Sequence, residues 1–453
     1  MKTSKQIGTW LAMGALLLAS GAGALAATWT DGGEGNDWDT AANWQGSTVP
    51  ADNEAVTFGN LTPSVSIVSV NNNHDDLLVG QITFTGSTAY TISGLVITST
   101  NSNNVVINNS SVRQTISADF YSGAFINNLA INGGAAGLAF GKFINTSTNN
   151  WTYTFNNGTT IISQFYITND TTGNGTNRNG YQMGLTGNGT VVFNEVYDST
   201  DSENTRAFGL GLYNGQNMIL TGTSYTKGTI QIRGASTVIL RDNADLNVAN
   251  DFKMDEGQHN SAIINNSSVR LDKLTWNTGT LGGTGSILAT RGALAQANNA
   301  DYRIAPGDIN SVGKLSFTDE NLVWSNEFST VTYDWNFNDL TAAAGEGYDQ
   351  IFVEQGFNLG VNTQYVLNLI GLSGATIDDF ADVAPGASWD IISAGSGITN
   401  FELTHWTATL PDDVILTLSS DNTKLQLLLI PEPSTWALLG AGAALLAFLR
   451  RRR

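Results

Sequence analysis

The chain of 453 residues carries 39 acidic against 20 basic side chains, a formal net charge of −19, and no cysteine. No disulfide can stabilise it, so its stability has to come from backbone ladders and buried apolar rows. With 13% charged and 41% hydrophobic residues, it is too poor in charge for polyelectrolyte disorder, and its acidity argues against nucleic acid or anionic lipid as partners.

At the N-terminus, Lys2 and Lys5 form a basic region ahead of an apolar core at residues 10–19. Ala24-Leu25-Ala26 follows as an A-x-A site that places cleavage before Ala27, so residues 1–26 read as a secretory signal peptide. Setting aside Lys2, Lys5, the four terminal arginines and Glu432 leaves 14 basic against 38 acidic residues, a charge of −24 on residues 27–431.

The segment WTDGGEGNDWDTAANWQGSTVP (29–50) comes next. Its GGEGND (32–37) is similar to the start of a calcium-binding nonapeptide. That motif works through successive copies; a single copy here, with Asp39 where an apolar strand residue belongs, predicts a flexible turn before Trp38, with calcium the more plausible ion if one binds.

From about residue 55 to 290 one short phrase recurs: β-branched or aromatic residues alternating with polar ones, then Asn, Gly, Ser or Asp. Examples are SVSIVSV (64–70), QITFTG (81–86), YTISGLVITS (90–99), TIISQFYITN (160–169), TVVFNEVY (190–197), TIQIRG (229–234) and TVILRD (237–242). Period-two alternation bounded by turn residues is the signal of a strand. One octet nearly repeats, VINNSSVR (106–113) and IINNSSVR (263–270), and turn asparagines tolerate left-handed backbone and can ladder between stacked units. The expected fold is all-β, a right-handed parallel β-solenoid (β-helix) over residues 27–314, with tandem β-sandwiches as the alternative because the repeat spacing is irregular.

The stretches TGTLGGTGSILAT (278–290), RIAPGD (303–308), VGKLSFTD (312–319) and YDQIFVEQGFNLG (348–360) resemble the autotransporter-associated β-strand repeat, a family of solenoid turns and strands. Residues 29–50 resemble the opening of such surface proteins, which implies that Trp38 and Trp44 cap the first rung. The chain shows no C-terminal translocation barrel, so self-secretion is not expected. Acidic residues thicken over 315–430, which reads as a C-terminal β subdomain ending in a hairpin, DVILTLSSDNTKLQLLLI (413–430).

Catalytic chemistry has thin support. His74, His259 and His405 are the only histidines and none pairs at ligand spacing, which argues against a His/Cys metal site. Glycoside hydrolysis needs two carboxylates at a fixed separation. Glu195, Asp198, Asp201 and Glu203 are one candidate group, and Asp255, Glu256 and His259 another, but both lie in polar turns where acids are expected as solvated residues. Scattered tryptophans (Trp29, Trp38, Trp44, Trp151, Trp276, Trp324, Trp335) offer sugar-stacking surfaces if exposed. No residue is assigned to catalysis, cofactor or metal.

The last segment, 431–453, is the most specific. Pro431, Glu432 and Pro433 make an extended joint that cannot continue a helix. An uncharged stretch at 435–449 follows, shorter than the roughly 20 residues of a full span. Arg450, Arg451, Arg452 and Arg453 then form a membrane stop on the cytoplasmic side. This tail resembles the PEP-CTERM sorting signal. The resemblance implies an exosortase as partner, transient anchoring in the inner membrane, and release to the cell surface or medium. The function expected is that of a structural or adhesive matrix protein associated with exopolysaccharide; a polysaccharide lyase or hydrolase and a glycan-binding module are the alternatives.

Overall fold

The computed structural model describes residues 26–430, apart from 62–64, 102–104, 123–127, 146–150, 168–181, 199–208, 255–259, 292, 295–300, 308–309, 319–321 and 325–328. The chain divides into two compact units, 1–149 with 153–163, and 150–152 with 164–453. Each is a parallel β-solenoid, as the alternation predicts. Helical structure among the described residues amounts to three short 3-10 turns, Ala41–Asn43, Ile377–Asp382 and Leu403–His405.

In the first unit, Ala55–Phe58, Gln81–Phe84, Val106–Asn108 and Asn128–Asn132 stack in parallel register. Val56, Ile82, Val106 and Ile131 are successive partners, so the register advances 26, 24 and 25 residues per rung. All four are buried, while Thr57, Thr83, Ile107 and Asn132 in the adjacent register positions are only half-buried; alternation puts one β-branched residue inside on every rung. Ile67–Asn72, Ala89–Gly94, Gln114–Tyr121 and Leu138–Asn145 form a second wall. The stretch at 90–99 turns a corner in its middle, because Gly94 adopts φ +99° and Ile97–Ser99 starts a separate strand.

An aromatic plug closes the start of this unit. Trp29, Trp38 and Trp44 are fully buried with Phe58, with ring centroids 4.9 Å apart for Trp38–Trp44 and 5.1 Å for Trp29–Trp44. The loop between the tryptophans winds around buried Asn43. Its Oδ1 accepts from the Gly33 N–H, and its Nδ2 donates to the carbonyls of Gly35 and Asp37. Segment 32–37 is thus a largely exposed turn organised by the buried Asn43 amide.

The near-repeated octet makes two different corners. In the first copy Asn108 turns inward beneath the aromatic column of Phe58 and Phe84, donates to the carbonyls of Val112 and Gly137, and accepts from Ser110; the next strand begins only at Gln114. In the second, the strand resumes at Ser268 with Val269 buried, and Asn266 takes the positive φ.

In the second unit one wall runs in successive parallel pairs from Thr190–Asp198 through Asn217–Leu220, Thr237–Leu240, Ser261–Ile264, Gly279–Gly283, Asp301–Pro306, Thr330–Phe337 and Gln364–Gly371 to Trp406–Ala408. A second wall runs from Thr223–Thr226 to Ser388–Ala394. Lys314–Thr318 pairs with Ser286–Arg291 on one side and Gln350–Val353 on the other, so this ladder crosses residue 314 unbroken. The predicted terminal hairpin is present as Val414–Leu418 and Lys424–Leu429. It docks antiparallel on Ser388–Ala394 and covers what would otherwise be an open edge.

Candidate functional site

The residues that carry the sorting reading, Ala24, Pro431, Glu432, Pro433 and Arg450–Arg453, lie outside the described residues, as does the apolar stretch 435–449. Ala26, at the edge of the described chain, directly precedes the first strand, Ala27–Trp29. Among the described residues no helix is long and apolar enough to cross a membrane.

Of the first carboxylate group, Glu195 and Asp198 are described, and the strand sends them apart. Glu195 is exposed and accepts from Gln164 Nε2 at 3.1 Å. Asp198 is buried and accepts the Lys227 N–H at 3.0 Å. Asp201, Glu203, Asp255, Glu256 and His259 lie outside the described residues. His74 pairs with Asp39 at 2.7 Å on the surface, and His405 sits 3.6 Å from Glu402. No group of three or more His, Asp or Glu side chains able to hold a metal occurs among the described residues. Trp29, Trp38, Trp44, Trp276 and Trp335 are all fully buried, so none is a sugar platform.

Two grooves lie on the second unit, one mainly polar and one of mixed polar and apolar lining. One, of about 340 Å³, is lined by Asn243, Asn266, Ser268, Thr284, Ser286 and Ser316. Its side chains engage each other from rung to rung: Asn266 Nδ2 donates to Asn243 Oδ1 at 2.8 Å, and Ser268 Oγ to Asp245 Oδ1 at 2.6 Å. The other, of about 470 Å³, is lined by Arg303, Asp334, Asn368, Val366, Ile377 and Thr407 among others. Arg303 donates through Nε to Asp334, which is fully buried, and Asn368 Nδ2 donates to the other oxygen of Asp334 at 2.9 Å. Parallel register makes the meeting: Arg303 is the partner of Thr332, two residues before Asp334, and Asp334 is the partner of Asn368.

These three residues were not singled out by sequence reasoning. Arg303 is 31 residues from Asp334, and Asn368 is 34 beyond it, and no local motif links them. A count of one rung between them would have been the only available signal.

No curated protein matches this chain. Residues 429–453 match the family model described as the PEP-CTERM protein-sorting motif. That motif marks the chain as a secreted or cell-surface protein, transiently anchored through its C-terminal segment and processed by an exosortase.

Proposed function

We propose that this is a structural or adhesive protein of the extracellular matrix, associated with exopolysaccharide and without catalytic activity of its own. The observation that carries the reading is an outward ladder on the second unit. Thr190, Asn217, Thr237, Ser261 and Thr280 are successive register partners, each exposed or half-buried. Rungs repeat at about 4.8 Å, so uncharged donors and acceptors recur at a fixed interval. A long hydrated polymer can be held along such a surface by many weak bonds at once.

The opposed orientations of Glu195 and Asp198 support the non-catalytic reading, since hydrolysis of a glycosidic bond requires two carboxylates facing one substrate. We also read 278–360 as a repeat of the autotransporter-associated type. Its Gly-rich strand Gly279–Gly283 and the following Asp301–Pro306 pair as adjacent rungs, which is the arrangement such a repeat implies. Mass-spectrometric mapping of the C-terminus, done separately on envelope and medium fractions, tests the sorting step. A mature end near Pro431 in the medium fraction is the expected result. An intact Arg453 in every fraction would overturn it.

A further inference from the structure

We infer that the groove formed by Arg303, Asp334, Asn368, Val366, Ile377 and Thr407 is a binding site for neutral glycans. The inference rests on the matrix reading above and names the surface that would carry it out. Its volume of about 470 Å³ falls within the roughly 300–1,000 Å³ typical of small-ligand sites.

The chemistry of the lining selects the class. Arg303 is about half exposed (47%), while Asp334 beneath it is fully buried. The guanidinium carries five N–H donors in a planar fork, and Asp334 engages it through Nε. Asn368 is exposed; one N–H of its amide goes to Asp334, and its carbonyl oxygen is an acceptor at the rim. Thr407, exposed on the next strand of the same wall, stands beside Val366 and adds a hydroxyl along the groove. Half-buried Val366 and Ala408 and exposed Ile377 supply apolar surface between the polar groups. Donors and acceptors at the rim with aliphatic surface between them match a pyranose, which has hydroxyls at its edge and C–H groups on its faces.

Charge decides between a neutral and an anionic sugar. A phosphate or uronate would need an unopposed cation, but the positive charge of Arg303 is already neutralised by the carboxylate directly beneath it. An incoming anion would meet Asp334 at short range and a chain of net charge −19 at long range. A neutral polyol loses nothing to either field and can use the ion pair as a fixed dipole.

The test uses the mature secreted protein on immobilised neutral polysaccharides (glucan, galactan, mannan and xylan) and polyanionic ones (polygalacturonate and alginate). Wild type should retain at least one neutral polymer and neither polyanion. Thr407→Trp fills the groove from an exposed strand position without touching the ion pair, and should weaken binding at least about tenfold with an unchanged circular dichroism spectrum. Arg303→Lys keeps the charge over Asp334 but loses the fork, and should weaken binding by a similar factor. Binding of polyanions alone, of no polymer in the panel, or unchanged binding by folded Thr407→Trp would overturn the site. Matrix localisation is scored in parallel. If it persists while the groove variants bind unchanged, the groove assignment fails and the matrix role stands; protein found free of matrix and binding no polymer would remove both.

Discussion

Asn336 holds Asp349 twice: its backbone N–H and its side-chain amide both donate to Asp349 Oδ2, at 2.9 and 2.8 Å. The other oxygen accepts the Gly313 N–H at 2.7 Å, so one fully buried carboxylate joins three segments of the second unit. Three donors favour the ionised form, but burial outweighs them, helped by nearby Asp334, and pushes the carboxyl up to about 8.

Replacing that carboxylate should be costly. Asp349→Asn keeps one acceptor oxygen for the two Asn336 donors but turns an NH2 group toward the Gly313 N–H, and should destabilise the second unit by about 1–3 kcal/mol. Urea unfolding followed by tryptophan fluorescence measures it, with Trp335 as reporter because its indole N–H donates to the Asp349 carbonyl. A loss well below this range would mean that the donors find other acceptors.

The same group sets a pH dependence. A folded pKa raised to about 8, against roughly 3.9 in the unfolded chain, contributes most to stability in acid and loses that contribution as pH rises from about 4 to about 8. Wild-type Tm should therefore fall between about pH 4 and about pH 8. Asp349→Asn should fall less over the same window. Parallel curves would assign the slope to overall negative charge instead.

The aromatic plug predicts a local effect. Trp44 touches Trp29, Trp38 and Phe58, and its indole N–H donates to the Trp38 carbonyl at 2.7 Å. Trp44→Ala should cost about 3–5 kcal/mol. Hydrogen exchange should speed up first in Ala27–Trp29 and Ala55–Phe58, with Thr237–Leu240 unaffected. A uniform loss of protection would show that the first rung does not open independently.

Gly283 predicts an effect of backbone origin. It sits at φ +108°, and a Cβ there would lie 2.4 Å from the carbonyl oxygen of Ile264 on the neighbouring rung. Gly283→Ala should cost at least about 1–2 kcal/mol. Gly215→Ala, at φ +81° with open space around it, should cost less, since only the torsional strain applies. Equal losses would deny any role to rung proximity.

Sorting can be tested in cells. Pro431-Glu432-Pro433 changed to three alanines should trap the protein in the inner membrane with its arginine tail intact, seen by fractionation and C-terminal mass spectrometry. Normal release would reduce the triplet to a linker.

The strands were largely legible in the sequence because period-two alternation and Asn/Gly turns are local signals. TVVFNEVY became Thr190–Asp198, and TVILRD became Thr237–Leu240. The hairpin at 413–430 was equally visible, as two apolar runs around Ser-Asp-Asn. The corner at Gly94 was not, since an isolated glycine in a strand pattern reads equally well as a bulge. Nor was the difference between the two octets, whose backbones depend on the rungs around them. The groove was hidden for a related reason: Arg303, Asp334 and Asn368 are brought together by strand register, and register follows from the whole stack.

The terminal hairpin separates the fate of the tail from that of the fold. Leu429 is buried and ends the strand that covers Ser388–Ala394, whereas Ile430 is exposed and tied back by one backbone bond to Asp413. A protease cutting just beyond Ile430 would sever no ladder among the described residues. The solenoid can thus be complete while still tethered, and scission releases a finished object with no step of refolding after it.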